Sequence, residues 1–420
     1  MKVIIMGAGV IGVTTAYVLA TRGYDVEVID RRPAAAGETS FANGGQLSYS
    51  HAEPWANPSV LPKVMKWMFD DEAPLVLKPR LDYRMMRWGL QFLGNCTQRR
   101  AESNTVTMLK LGLYSRKKMQ HLVEATGIKF DYQRDGILHV FCKQSDFDAA
   151  RRQADFQEKF GCEEQSKTVD ECIQLEPSLR HSNYNLIGGI YAHLDEYGDV
   201  NCFTTKLAEI CQKEYGVVFH YNTAINELKR NSDNEIAAVV TDKGELTADR
   251  YVMSLGSYSS VYLRKLGLNV PIYPMKGYSV TLKANEYAPK MSVTDQKSKI
   301  VYSRLGDRLR IAGTAEFAGY NDEIKQKRIK PILKAVGRLF PKALGENYET
   351  VESEWACLRP STPDGPPIIG QTPIKNLYMN TGHGTLGWTQ AAGSAFLFAD
   401  SFEGKETEVS LDGMHVERYL

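Results

Sequence analysis

At 420 residues, with 43% hydrophobic and 24% charged side chains, the chain is long enough for a large core and two domains and has the composition of a soluble globular protein. Its 51 basic and 50 acidic residues leave a net charge of +1, without the basic excess of a nucleic-acid binder or a charged tail. The seven cysteines (96, 142, 162, 172, 202, 211 and 357) form no C-x-x-C and match no zinc or iron–sulfur spacing, so no metal site is expected, and reduced thiols in a cytoplasmic compartment are.

Val3–Met6 is an apolar run of the kind a buried parallel strand uses. Gly7-Ala8-Gly9-Val10-Ile11-Gly12 follows, then Ala16, Tyr17, Val18 and Leu19 at helical spacing, a break at Gly23, and a second strand, Val26–Ile29, ending on Asp30. Strand, glycine-rich turn, helix, strand and acid make a dinucleotide-binding fingerprint. Gly7 serves the tight turn, Gly9 lets a pyrophosphate approach the backbone, and Gly12 lets the helix lie close to the strand. The helix start offers free N–H groups and positive dipole to the anion, and Asp30 can take the ribose hydroxyls. Val10 and Ile11 inside the turn and Arg31 after the acid belong to the same candidate site. The motif by itself does not separate FAD from NAD. The initial apolar run is only four residues long and leads into this motif, so it does not read as a signal peptide. No stretch of about 18 apolar residues predicts a transmembrane helix.

Residues 54–98 hold three of the five tryptophans (Trp55, Trp67, Trp88) with Met65, Met68, Met85, Met86, Phe69 and Phe92, and Lys63, Lys66, Arg84 and Arg87 lie among them. Aromatic and long apolar side chains beside cations suit an interfacial helix, so peripheral membrane contact on the cytoplasmic face is expected here. The same residues also suit a domain core or an oligomer interface. Tyr83–Leu93 and residues 103–126 read as helices, and 136–141 and 188–193 as strands opened by glycine. Asn201 is placed to cap a helix Phe203–Glu214. Val217–Ile225 reads as one strand, and Glu235–Val240 and Glu245–Leu246 as a hairpin around Asp242-Lys243-Gly244. Tyr251–Leu255 is a further buried strand, residues 278–283 and 299–313 alternate like sheet strands, Leu377–Asn380 is the last strand, and Trp388–Phe402 the last helix.

Three more glycine-bearing turns sit where strands end: Thr39–Gln46, Leu255-Gly256-Ser257-Tyr258, and Gly382-His383-Gly384-Thr385-Leu386-Gly387. Ligands of open α/β sheets collect at the carboxyl ends of strands. Four such turns spread over the chain predict a long ligand, and FAD is longer than NAD.

Gly7–Gly12, Thr39-Ser40…Asn43-Gly44-Gly45-Gln46, Leu255–Ser259, Tyr273–Ser279, Leu358-Arg359-Pro360-Ser361-Thr362-Pro363-Asp364-Gly365 and Asn380–Thr389 together resemble the FAD-dependent D-amino-acid oxidase superfamily, and within it the bacterial D-amino-acid dehydrogenases. The resemblance covers essentially the whole chain. It implies an α/β fold (an α+β two-domain flavoprotein): a Rossmann-like FAD-binding domain of residues 1–86, 195–262 and 345–420, interleaved with a mixed or antiparallel-sheet substrate domain of 87–194 and 263–344.

The resemblance also implies roles. Ser40, Asn43, Gly44, Gly45 and Gln46 would run along the ribityl chain and isoalloxazine, and Ile225, at the end of its strand, would meet the adenine through its backbone. Gly256 would belong to the third flavin-facing turn. Gly384, Thr385, Leu386 and Gly387 would face the pyrimidine side of the flavin, where a helix start places positive charge. Arg359 would clamp the carboxylate of an amino-acid substrate, since a guanidinium fork matches a carboxylate. Thr385 stands where glycine oxidases carry a second arginine, so one arginine is expected. Tyr278 and Tyr302 are candidates to line the substrate pocket, and Tyr49 and His51 lie within reach of it. Cys357 has the spacing of the cysteine that links covalently to flavin in sarcosine oxidases; a non-covalent FAD beside a buried, inert thiol is the expectation. The implied activity is oxidative deamination of small D-amino acids such as D-alanine, with electrons passed to a quinone or other carrier. An oxygen-using oxidase of D-amino acids, glycine, proline or sarcosine is the alternative.

Overall fold

The computed structural model describes residues 1–62, 75–76, 81–345 and 350–420. Its fingerprint folds as the pattern dictates: strand Lys2–Met6, helix Val10–Thr21 and strand Asp25–Ile29, with Met6 in parallel register beside Ile29. The helix is buried nearly all round because the sheet covers one side while helices Val200–Tyr215 and Gly387–Phe402 cover the other. That is why its apolar residues show no single stripe.

Two large sheets organise the chain. The six-stranded sheet runs Ile368–Gln371, Leu377–Thr381, Arg250–Met253, Lys2–Met6, Asp25–Ile29 and Val218–His220, parallel except at its first pair. The chain leaves its central strand Lys2–Met6 toward both edges, which opens a crevice at the carboxyl ends. The nine-stranded sheet runs Val351–Ser361, Tyr273–Lys283, Arg308–Glu316, Ile300–Leu305, Ser292–Asp295, Ile137–Phe141, Gly188–Ala192 and Gln165–Lys167, with Leu75–Val76 added beside Arg308–Glu316. Helix Gln326–Leu339 packs on one face of it. The other face meets the 39–46 segment, where Ser279 Oγ donates to the Ala42 carbonyl at 2.6 Å and Arg310 Nη1 to the Asn43 carbonyl at 3.2 Å. The chain passes between the two sheets repeatedly. This is the expected interleaved α/β architecture with a mixed second sheet.

Several sequence expectations need correction. The strand expected over 217–225 is two: Val218–His220 joins the six-stranded sheet, and Ile225 begins another, Ile225–Arg230, in a small antiparallel sheet. Asn222, at φ +51°, turns the chain between them. Asp199 rather than Asn201 caps the preceding helix, its Oδ1 accepting from the amides of Asn201 and Cys202, so the helix starts at Val200. Arg359 lies on a regular strand, Val351–Ser361, which the sequence pattern did not mark. That strand pairs with Tyr273–Lys283 in the nine-stranded sheet, so a boundary at 345 parts it from its sheet partners.

Helix Tyr83–Asn95, capped by the Asp82 carboxylate, has two apolar faces. Met85, Trp88 and Phe92 pack inward on Leu75, Tyr273, Met275 and Phe317, and Tyr83, Met86, Leu90 and Leu93 are exposed. Met65, Trp67, Met68, Phe69, Lys63 and Lys66 of the expected interfacial stretch lie outside the described residues.

Candidate active site

All four glycine-bearing turns meet. A cavity with about 1420 Å³ of empty space, part of it open to solvent, is lined by Gly7 and Gly9 of the first, Thr39, Ser40 and Asn43 of the second, Leu255–Tyr258 of the third, and Asn380–Thr385 with Gly387 of the fourth. Its lining runs from the first turn to the fourth, so a single extended ligand can touch all four. Val10, Ile11, Asp30, Arg31 and Ile225 also line it, as do Tyr278, Cys357 and Arg359.

The first turn tolerates nothing but glycine at two positions. Gly7 has φ +108°, and a Cβ there would sit 2.6 Å from the Ser254 carbonyl oxygen. A Cβ on Gly12 would overlap the Gly7 carbonyl oxygen, so Gly12 acts through close packing and does not itself line the cavity. Asp30 Oδ2 accepts from the Ala8 amide at 2.7 Å and Oδ1 from the Arg32 amide at 2.8 Å, tying the second strand end to the first turn. Burial raises its pKa against the pull of these amides. The first helix has no cap of its own, and Ser40 Oγ accepts from the Val10 amide at 3.0 Å. Arg31 pairs with Glu38 at 2.7 Å and lies 4.2 Å from the centre of the Tyr258 ring.

Gly44, Gly45 and Gln46 stand off the cavity. They join this segment to the nine-stranded sheet: a Cβ on Gly44 would come within 2.5 Å of Val301, and Gln46 Nε2 donates to Ser292 Oγ at 2.9 Å and Thr294 Oγ1 at 3.1 Å. The Gly45 amide donates to Asn43 Oδ1 at 2.8 Å. Leu386 faces an adjoining compartment. Ile225 begins its strand rather than ending one, and its carbonyl accepts from the Tyr262 hydroxyl at 2.7 Å.

Arg359 stands opposite Met275 in the sheet register, and its guanidinium covers Gly277, where a Cβ would collide with Cζ and Nη2. It is half-buried, faces the cavity, and forms no ion pair with any described residue. Cys357, opposite Gly277, shares this face; burial raises its thiol pKa. The two tyrosines are placed differently. Tyr278 touches the cavity, but its register opposite Ala356 sets its side chain on the other sheet face, among Val280 and Leu282, with its hydroxyl donating to Glu316 Oε1 at 2.9 Å. Tyr302 is wholly buried in the same core, 5.1 Å from the Phe340 ring, and does not reach the cavity. Tyr49 is also buried, its hydroxyl donating to Glu196 at 3.1 Å, whereas His51 lines the adjoining compartment.

The sequence reading carried Gly277, Tyr258, Asn380, His383 and Trp388 within its motifs but gave none of them a role; all five line the cavity. A glycine inside a strand signals close backbone approach, and that signal was open for Gly277. Asn380 Oδ1, both ring nitrogens of His383, Trp388 Nε1 and Ser254 Oγ are buried without a partner among the described residues. Burial lowers the His383 pKa to about 3, so its ring is neutral. Helix Gly387–Phe402 starts at the cavity with no side-chain cap. A glycine cradle, an uncapped helix start and unsatisfied buried polar groups on one long cavity fit a dinucleotide such as FAD.

Comparison with known proteins agrees. Residues 2–401 match the DAO family, FAD dependent oxidoreductase. The chain is 46% identical over 415 residues to a D-amino acid dehydrogenase of Dechloromonas aromatica, covering 97% of this chain and 98% of that one. It is 46% identical over 422 residues to one of Paramagnetospirillum magneticum, covering 100% and 99%. Among solved structures, glycine oxidase from Bacillus cereus superposes with a TM-score of 0.76 at 23% identity, covering 100% of this chain and 99% of that one. L-proline dehydrogenase from P. horikoshii superposes with a TM-score of 0.76 at 20% identity, covering 100% and 97%. A glycine-cradled cavity at the sheet switch point, inside a full-length match, makes the chain a member of the DAO family of FAD-dependent oxidoreductases.

Proposed function

We propose that the protein is an FAD-dependent D-amino acid dehydrogenase that oxidises its substrate to an imine, which water hydrolyses to a 2-oxo acid and ammonia. The observation that carries this reading is Arg359, a half-buried cation facing the cofactor cavity with no acid paired to it among the described residues. Such a guanidinium matches a carboxylate bidentately. The name shared by relatives aligned over nearly their full lengths supports the D-amino-acid class.

Bound FAD supplies the acceptor for the hydride leaving the α-carbon. The chain supplies position and field. Arg359 holds the carboxylate, and Gly277 leaves room for it to do so. The uncapped start of helix Gly387–Phe402, with Gly384 and Thr385, offers partial positive charge to an electron-rich ring. Gly7 and Gly9 serve the pyrophosphate while Gly12 lets the helix close on the first turn, Asp30 serves the ribose, and Ser40 and Asn43 the chain beyond it. We read the six-stranded half as the cofactor domain and the nine-stranded half as the substrate domain.

Electrons then pass to a quinone or another carrier, and the protein meets a membrane peripherally on its cytoplasmic face. Support for this comes from the outer face of helix Tyr83–Asn95, where Tyr83, Met86, Leu90 and Leu93 are exposed beside Arg84 and Arg87. No described helix is long and apolar enough to cross a membrane.

Anaerobic mixing with a panel of D- and L-amino acids tests the core of the reading. Bleaching of the flavin by D-amino acids alone, without peroxide formation when air is admitted, is expected. Bleaching by L-amino acids, or stoichiometric peroxide, would replace it with a different oxidase reading.

A further inference from the structure

The unpartnered polar groups on the cofactor cavity are not equivalent. Ser254 stands behind the first turn, where a Cβ on Gly12 would lie 3.5 Å from its own Cβ. Asn380 Nδ2 donates to Thr15 Oγ1 of the first helix at 3.0 Å, which ties that side chain to the same end. Trp388 Nε1 can only donate. His383 differs from all three. Burial keeps its ring neutral, so it carries one donor and one acceptor, and neither nitrogen has a partner among the described residues.

The fourth turn holds that ring beside Arg359. The Gly384 amide donates to the Pro360 carbonyl at 2.9 Å, His383 pairs with Ser361 in an antiparallel bridge, and the Leu386 amide closes the turn on the His383 carbonyl at 3.0 Å. Bridge partners project to one side, and Arg359 and Ser361, two apart on their strand, share a side. Imidazole and guanidinium therefore leave the same face from diagonal positions, a spacing of about 7–8 Å that two long side chains can close. Both residues line the cavity. His383 is only 3% exposed, and leaving two hydrogen bonds unmade on a buried ring is costly, so a bound group is expected to make them.

We infer that His383 binds the substrate's amine, a ring nitrogen accepting a hydrogen bond from it while Arg359 holds the carboxylate, so that two contacts fix the α-carbon between them. The inference rests on the reading of Arg359 given above. A carboxylate clamp alone leaves the substrate free to turn about the axis of the guanidinium fork, and a second contact at the amine removes that freedom. Amine and carboxylate sit on the same carbon, so the acceptor has to stand close to the guanidinium, which is where the fourth turn puts it.

The test uses the holoenzyme and two ligands of like shape. 2-Aminoisobutyrate has a carboxylate and an amine but no α-hydrogen, so it is not oxidised; pivalate carries a methyl in place of the amine. Each Kd is read from flavin absorbance at one pH. Wild type should bind 2-aminoisobutyrate at least about tenfold more tightly than pivalate. His383→Leu should bring the two within about threefold, with flavin content unchanged and kcat/KM for a D-amino acid lowered about tenfold or more. His383→Gln, whose Oε1 can accept, should keep part of the preference. If His383→Leu alone loses flavin, His383→Met is read in its place. Equal binding of the two ligands by wild type, or a preference that survives in the apolar variant, overturns the inference. Loss of flavin from every His383 variant also overturns it, by assigning the ring to the cofactor. Arg359→Ala should weaken both ligands alike; if it weakens neither, the carboxylate reading fails while the ratio still decides His383. Flavin that no amino acid bleaches overturns the dehydrogenase reading, and the two binding constants again decide His383.

Discussion

Arg359 has no acid paired to it among the described residues, so its removal should act on the substrate and little else. Losing a charge-assisted bidentate contact costs about 3 kcal/mol or more, so Arg359→Ala should lower kcat/KM for a D-amino acid by at least about a hundredfold. The flavin-to-protein ratio should stay unchanged, and Arg359→Lys should recover only part of the loss because it lacks the fork. Near-normal turnover would show that another group binds the carboxylate. Cys357 shares the same sheet face, but burial keeps it a thiol rather than a thiolate. Acid precipitation should release yellow colour into the supernatant from wild type and Cys357→Ser alike, and colour retained only by wild type would indicate a covalent link. Asp195, wholly buried, is pushed up to about 8 by burial and by the nearby Glu164, against two hydrogen bonds from the Ser50 amide and hydroxyl. Between roughly pH 4 and 8 the unfolded chain ionises this carboxyl while the folded one keeps its proton, so its contribution to stability is lost as pH rises through that window, on the order of 1 kcal/mol per pH unit. Asp195→Asn can still accept from the Ser50 amide and donate to its hydroxyl. Urea unfolding at pH 5, 6.5 and 8 should therefore show the variant gaining on wild type as pH rises; parallel curves would place the ionised carboxylate in the folded state.

At the scale of elements, the first strand–turn–helix–strand is the most legible part of the chain, because each glycine there answers a local steric demand. Gly12→Ala would force a methyl into the Gly7 carbonyl and should destabilise the protein by about 3 kcal/mol or more, with loss of flavin on purification. An unchanged melting temperature and a full flavin complement would show that the helix can move away at little cost. The strand carrying Arg359 was less legible. Pro360 and the polar run Glu352-Ser353-Glu354 hide its alternation, and it is a strand because Tyr273–Lys283 pairs with it along its length. Helix Tyr83–Asn95 was legible as a helix, but its sequence alone did not say which apolar face stays outside. Leu90→Glu on the exposed face should change stability by no more than about 0.5 kcal/mol and weaken binding to anionic vesicles. A large fall in melting temperature would mean that this face is covered in the native protein.

At the scale of the molecule, the peripheral membrane reading is tested by flotation with anionic liposomes at low salt, where the protein should rise with the vesicles and Leu90→Glu should not. Protein that stays at the bottom of the gradient removes the reading. What the sequence determined by itself was whatever depends on neighbours along the chain: the glycine turns, the acid at the end of the second strand, and the strands and helices around them. Local sterics and period write these directly into residue order. Long motifs also carried Arg359 and the fourth turn through resemblance. The tertiary structure alone decided what depends on faces and registers. It brought four turns, distributed from Gly7 to Gly387, onto one cavity. It turned Tyr278 and Tyr302 into the core behind the sheet and left Arg359 uncovered on the cavity face. Successive strand residues point to opposite sides, so a side chain's access to a site depends on which partner strand its own strand pairs with, and in which register. For Arg359 and Tyr278 those partners lie dozens of residues away.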